Sequence, residues 1–234
     1  MSTQRLQASI IIPAYNEENL IALILEELFR KTSKITTQVI VVDDHSADLT
    51  YLTAEEAGAE TVRLSNAHGF GGAARIGISK AALQNIVVFD SSGEFDPVEI
   101  LNGITLLDKT NSDFAFPYYS TYRSLSHKFG AALIRLSMKI LFNLKIQGDL
   151  PSTFFCAKRS ALKALELTSD GFTLSTEVLL KANAKGFKIV EFQVRARQRF
   201  WKDSRSPVKK LITASRYLSV ILRNYYLGGV FNRN

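Results

Sequence analysis

The sequence predicts a single α/β domain with a mostly parallel central sheet and helices on both faces. Three observations lead there. Ile10-Ile11-Ile12, Val39-Ile40-Val41-Val42 and Ile86-Val87-Val88-Phe89 are short apolar runs, each followed by a polar cluster. Such runs, bounded by turn residues, read as buried parallel strands. Segments with helical spacing lie between them, and repeated strand–helix units imply right-handed crossovers. A length of 234 residues suits one large domain with a sizeable core.

Taken in order, Asn16 is placed to cap a helix over 17–30, with Glu17 and Glu18 in its first turn and Leu20, Ile24 and Leu28 on one face. Residues 47–57 read as a second helix and 61–64 as a short strand. The Gly-rich stretch Asn66-Ala67-His68-Gly69-Phe70-Gly71-Gly72 leads into a helix through Leu83 and offers a helix N-terminus to an anion. Asp96-Pro97 opens the next helix, since proline is favoured at the first helical position. Residues 113–116, 154–157 and 188–194 read as strands. Residues 122–143 read as a long helical region and 177–184 as a helix ended by Lys185-Gly186.

Pro207 opens a last helix. Leu211, Leu218, Leu222 and Tyr225 share one of its faces, and Lys209, Arg216 and Arg223 share the opposite one. Such a helix either lies on a membrane surface or packs its apolar side on the domain. The second reading is preferred, and both leave the basic face for an anionic surface.

Composition narrows the class. From Lys185 to Asn234 there are 12 Lys or Arg and 2 Asp or Glu, so this stretch carries +10 of a chain whose total is +7. A basic end serves phosphates or anionic headgroups. No nucleic-acid-binding module accompanies it, so no nucleic-acid partner is expected. The single cysteine, Cys156, fits a reducing compartment. No apolar stretch approaches the roughly 18 residues that span a bilayer, and no secretory signal pattern opens the sequence. A cytoplasmic protein, soluble or peripheral on the cytoplasmic face of the membrane, is expected.

In an open α/β sheet ligands sit beyond the carboxyl ends of the strands. Three clusters occupy that place: Pro13-Ala14-Tyr15-Asn16-Glu17-Glu18, Asp43-Asp44-His45-Ser46-Ala47-Asp48, and Asp90-Ser91-Ser92-Gly93-Glu94-Phe95-Asp96-Pro97. Carboxylates such as Glu17 and Asp44 accept hydrogen bonds from base N–H groups and ribose hydroxyls. Helix-end charge compensation for Glu17, and a turn or cap for Asp44, are the structural alternatives. Asp90 is the first candidate for a hard divalent cation, Mg²⁺ or Mn²⁺.

These clusters resemble the nucleotide-sugar-binding half of the family 2 glycosyltransferases, which have the Rossmann-like GT-A fold. Length points among them to the polyprenyl-phosphate sugar transferases, those like dolichol-phosphate mannose synthase. The resemblance implies an inverting transferase that moves a sugar from a GDP- or UDP-sugar to a polyprenyl or dolichyl phosphate. Alternatives are another lipid or glycan acceptor, or a non-catalytic nucleotide-sugar-binding or regulatory protein. The resemblance implies nucleotide contacts at Pro13, Ala14, Tyr15, Glu17 and Asp44.

Asp90, Ser92 and Glu94 stand at the family's metal-binding positions. Ser92 lacks the charge of the usual second Asp, and Glu94 brings a carboxylate where an amide is common. Asp149, in Gly148-Asp149-Leu150-Pro151-Ser152-Thr153-Phe154, matches an acidic position near the acceptor, while Thr153 departs from the family's Gly. Glu177 is a second catalytic candidate. Arg199, Ser204 and Arg205, with Arg123 and Lys128, are the implied phosphate contacts. The implied halves are 1–115 for the donor and 116–206 for the acceptor, followed by an amphipathic helix over 207–230.

Overall fold

The computed structural model describes residues 6–119, 135–144, 146–147, 153–194, 215 and 217–225. In chain order the elements are β1 Gln7–Ala14, α1 Glu18–Thr32, β2 Thr36–Asp43, α2 Thr50–Glu56, β3 Glu60–Arg63, α3 Gly69–Lys80, β4 Asn85–Val88, α4 Val98–Thr110 and β5 Phe114–Tyr119. Helix α5 covers 135–142. Then come β6 Phe155–Lys158, α6 Arg159–Lys163, α7 Leu174–Ala184 and β7 Ile189–Val194. Helix α8 covers 217–225.

The strands form one seven-stranded sheet in the order β3-β2-β1-β4-β6-β5-β7. β1 runs parallel to β2 and β4, and β2 parallel to β3. β6 is the exception: it lies antiparallel between β4 and β5. The chain order therefore reverses direction at β1, which places a crevice between the ends of β1 and β4.

Alternation along β1 divides the core. Ile10 and Ile12 face α1 and α4, in a cluster with Leu20, Leu25 and Leu28 of the first and Ile104 and Leu107 of the second. Ile11 faces the other way, into a cluster with Ala73, Ala74 and Ile78 of α3 and Val178 and Leu179 of α7. Helices thus cover both faces, as the apolar runs predict. Helix α3 lies close to the sheet because Gly77 lacks a side chain: a Cβ there would stand 2.3 Å from Ile11 Cγ2. Asp96 opens α4 as expected, its carboxylate accepting the Val98 N–H at 2.9 Å.

Candidate active site

β1 and β2 pair with Ala14 opposite Asp43, so their terminal loops leave the sheet side by side. The loops are tied crosswise. The Asn16 N–H donates to Ser46 Oγ at 2.9 Å, and Asn16 Oδ1 accepts the Ala47 N–H at 2.9 Å. The Glu17 N–H donates to Thr50 Oγ1 at 2.7 Å. Glu18 Oε2 accepts the Leu49 N–H at 3.0 Å, and Asp48 accepts the Glu18 N–H at 3.2 Å. Asn16 has φ 53°, in the left-handed region that Asn tolerates. It therefore corrects the expected N-cap role: α1 begins at Glu18, and the Asn16 side chain bridges to the β2 loop instead. Pro13 and Ala14 are buried, and Tyr15 is exposed beside them.

The β4 loop completes the crevice. Asp90, Ser91 and Glu94 are buried. Asp90 Oδ1 accepts the Ser92 N–H at 2.6 Å, and Oδ2 accepts the Thr153 hydroxyl at 2.6 Å. Phe89 and Phe95 bracket this loop, each packing edge-on against Phe154 at 5.5 and 5.1 Å. Such pairs contribute about 0.5–1.5 kcal/mol each beyond their burial, enough to hold the loop in one place. Thr153 thus acts as a donor to the Asp90 carboxylate.

Glu17 reaches the same place from β1. Burial raises its carboxyl pKa to about 7, helped by the charges of Asp90 and Asp48 and opposed by a hydrogen bond from Ser91. Its Oε2 and the Ser92 Oγ are buried with no hydrogen-bond partner among the described residues. The Ser92 Oγ, open beside Asp90, suits a hard cation, which would also relieve the repulsion between Asp90 and Glu17. Among the described residues no three Asp, Glu, His or Cys side chains form a metal-binding group.

The Gly-rich stretch does not stand open. Asp44 Oδ1 accepts the His68 N–H at 2.6 Å, and Oδ2 accepts the Gly69 N–H at 2.8 Å. The Asp170 carbonyl accepts the next N–H groups, from Gly71 at 2.8 Å and Gly72 at 3.3 Å. The His68, Gly69, Gly71 and Gly72 amides at this helix start, expected to face an anion, are therefore already bonded inside the protein. Approach of the two loops requires Gly71, where a Cβ would lie 2.4 Å from the Ser169 carbonyl oxygen.

Glu177 lies in the first turn of α7 and is fully buried. It accepts the Thr168 N–H at 3.1 Å, the Thr168 hydroxyl at 2.8 Å and the Ser169 N–H at 2.7 Å, and pairs with Lys181 at 2.7 Å. Burial opposes its ionisation, yet the donors from Lys181, Ser169 and Thr168 outweigh it and hold the pKa at about 2. Glu177 thus binds the 168–169 turn through three donors and pairs with Lys181.

Helix α8 packs on the domain, but through a face beside the expected one. Val220, Ile221 and Asn224 are buried, and Ile221 packs on Met138 and Leu180. Arg223, assigned to an outward basic face, turns to Thr168 and Glu177. Leu218, Leu222 and Tyr225 remain exposed, as do Leu136 and Ile140 of α5. The reason is that the residues between the two idealised faces are apolar enough to dock, while Glu177 supplies a buried charge for Arg223. Asp149, Arg123, Lys128, Arg199, Ser204 and Arg205 lie outside the described residues, as do Lys209, Leu211 and Arg216.

The sequence reading missed Thr153, Ser91 and Asp170. No local signal marks them, because each acts on a residue far along the chain. Arg75 pairs with Asp170 and donates to the Leu167 carbonyl at 3.2 Å.

Residues 9–165 match the family model described as glycosyl transferase family 2. The chain belongs to that family. It is 29% identical over 215 residues to a dolichol-phosphate mannosyltransferase of Pyrococcus furiosus, covering 82% of the chain and 58% of that relative. It is 37% identical over 114 residues to a dolichyl-phosphate beta-glucosyltransferase of Drosophila melanogaster, covering 41% of the chain and 35% of the relative. The chain thus spans little more than half of the Pyrococcus relative's length. Glucosyl-3-phosphoglycerate synthase of Mycobacterium tuberculosis, solved with Mn²⁺, UDP and phosphoglyceric acid, shares the fold. It has a TM-score of 0.77 at 20% identity, over 94% of this chain and 78% of that one. The seven-stranded mixed sheet is accordingly the GT-A fold, as the three strand-end clusters imply. The same synthase has been solved with Mg²⁺ and UDP.

Proposed function

We propose that this glycosyltransferase moves a sugar, with inversion, from a UDP- or GDP-sugar to a polyprenyl phosphate at a membrane surface. The observation that carries the reading is the convergence of three strand ends, with Glu17 and Asp90 opposed across the crevice between β1 and β4. Pro13, Ala14 and Tyr15 form one wall for the nucleotide, and Glu17 and Asp44 offer acceptors to the base and ribose. The remaining lone pairs of Asp44 are available because its two backbone donors take one on each oxygen.

Asp90, with Ser92 Oγ and Glu94, would hold Mg²⁺ or Mn²⁺. That cation supplies neutralisation of the departing diphosphate. Thr153 keeps Asp90 oriented, and the Phe89–Phe154–Phe95 packing keeps the loop from moving as charge develops. A phosphate acceptor is already ionised, so its oxygen attacks the anomeric carbon, the nucleoside diphosphate leaves, and no general base is needed. Asp149 then positions the acceptor, and Arg123, Lys128, Arg199, Ser204 and Arg205 neutralise phosphates.

Two observations favour a lipid acceptor. The relatives named above act, by name, on dolichol or dolichyl phosphate. The exposed Leu136, Ile140, Leu218, Leu222 and Tyr225 lie on two helices that share the Met138–Ile221 contact and a Phe142–Tyr225 ring contact at 6.1 Å. No helix among the described residues is long and apolar enough to cross a membrane. An apolar pair of helices suits contact with one leaflet, on the cytoplasmic side where the nucleotide sugars are.

The test is transfer of radiolabelled glucose or mannose from UDP-glucose or GDP-mannose, with Mn²⁺, to polyprenyl phosphate in liposomes, beside parallel reactions with phosphoglycerate. Label in the lipid phase, lost on adding chelator, is the expected result. Transfer to phosphoglycerate alone would move the acceptor to the class of the Mycobacterium synthase. Binding of nucleotide without transfer to any acceptor would leave a nucleotide-sugar-binding protein.

A further inference from the structure

An unbroken set of contacts runs from α8 to the β2 loop. Arg223 Nη2 donates to Thr168 Oγ1 at 2.7 Å and lies 3.5 Å from Glu177 Oε1. Glu177 fixes the Thr168 and Ser169 amides. The next residue, Asp170, lends its carbonyl to Gly71 and Gly72, while its carboxylate pairs with Arg75. That fixes the turn whose His68 and Gly69 amides bind both oxygens of Asp44. A second contact reinforces the first: Tyr217 Oη donates to the Phe172 carbonyl at 3.4 Å, and the Phe172 ring stacks on Phe70 at 5.3 Å. Phe70 sits in the first turn of α3.

Each link is directional. Glu177 is buried and strongly ionised, so a charged donor at Arg223 stabilises it, whereas a neutral side chain leaves Lys181 as its one cationic partner among the described residues. The 168–171 turn has little freedom of its own, because Gly71 admits the Ser169 carbonyl at a distance no Cβ would allow. Displacing the turn therefore withdraws the Asp170 carbonyl from two α3 amides. Those amides and the His68 and Gly69 amides belong to one helix end, so Asp44 loses its fixed orientation with them.

We propose that Arg223 is a positioning residue for the nucleotide site: docking of α8 holds Asp44 in the orientation that binds the donor. This deepens the reading of Asp44 as a nucleotide contact and rests on it. By linkage, any contact that tightens α8 on the domain also tightens nucleotide binding, and bound nucleotide tightens α8.

The experiment uses the whole chain and two measurements. Calorimetry with UDP and with GDP, each with Mn²⁺, compares wild type with Arg223→Met, Arg223→Lys, Asp44→Asn and the Arg223→Met/Asp44→Asn pair. Amide hydrogen exchange over 68–72 is read without ligand. Arg223→Met should weaken nucleotide binding by about tenfold, and Arg223→Lys should recover most of it. In the Asp44→Asn background the same change should cost less than about twofold, because the residue through which it acts is already altered. Exchange over 68–72 should rise by about tenfold in Arg223→Met and return in Arg223→Lys.

An Arg223→Met protein that binds nucleotide like wild type and protects 68–72 equally overturns the proposal. So does a loss that is undiminished in the Asp44→Asn background, since general loosening would produce that. If wild type binds neither nucleotide, the nucleotide reading of Asp44 fails, and with it the proposal. Exchange that rises in Arg223→Met would then mark a structural strap alone.

Discussion

Replacing Glu177 by Gln isolates the charge that α7 contributes to the 168–169 turn. The side chain is fully buried, while the partial exposure of its partner Lys181 lets solvent screen the pair, so the full pKa difference gives an upper value. Its pKa falls from the ordinary 4.5 to about 2. At about 1.4 kcal/mol per unit, that difference is worth roughly 3 kcal/mol at neutral pH. The folded-state pKa lies below the unfolded one, so this stability is complete above about pH 4.5 and is lost as pH falls toward 2.

Integrating between the two values leaves about 2 kcal/mol at pH 3.5. Gln keeps the volume but turns an NH₂ toward the Thr168 or Ser169 N–H, and a donor facing a donor adds its own cost. Urea unfolding of Glu177→Gln and wild type, at pH 7 and pH 3.5, reads the difference directly. We expect a gap of about 3 kcal/mol that narrows by more than about 1 kcal/mol at the lower pH. A gap that is equal at both pH values would refute the assignment of charge to this turn. A neutral-pH gap under about 1 kcal/mol would do the same.

Glu17 has the opposite sign. Its folded pKa, raised to about 7, favours the protonated form, so stability should fall as pH climbs from about 4.5 through 7. The half-buried side chain reduces the effect to about 1–2 kcal/mol, and Glu17→Gln should flatten the slope in thermal melts at pH 5 and pH 8. Gly77→Ala should destabilise the protein by about 1–3 kcal/mol, because the added Cβ would meet Ile11 Cγ2 at 2.3 Å; denaturation midpoints check this. His45 holds φ 66°, so His45→Gly should raise stability by about 1 kcal/mol in the same assay.

Strands β1, β2 and β4 and the helices between them are legible in the sequence because each obeys a local rule: an apolar run, a cap, a helical spacing. The Asp96 cap and the Gly186 end of α7 are readable for the same reason, and Gly186 takes the left-handed φ of 72° that such an end needs. Asn16 shows where local reading stops. Asn before an acidic first turn looks like a cap, but a partner 31 residues away competes for its side chain and wins. Helix α8 shows the same limit for periodicity. Spacing defines its faces, yet which face docks is decided by Glu177 and Met138, neither of which its own sequence reveals. Thr153 looks like a departure from the family pattern and is a donor to Asp90, a role visible only once β6 lies beside β4.

The antiparallel insertion of β6 has a consequence for how the molecule is made. Until Phe155–Lys158 arrive, the strand Asn85–Val88 has no neighbour on its outer side, although Ile86, Val87 and Val88 are fully buried in the finished sheet. A nascent chain that has emerged only through residue 119 therefore carries an apolar, unpaired edge on the strand Asn85–Val88. Such an edge recruits other chains. The first part of the sheet is in this sense unfinished rather than separable: the strand that closes it is encoded about 70 residues later, together with the threonine that orients Asp90.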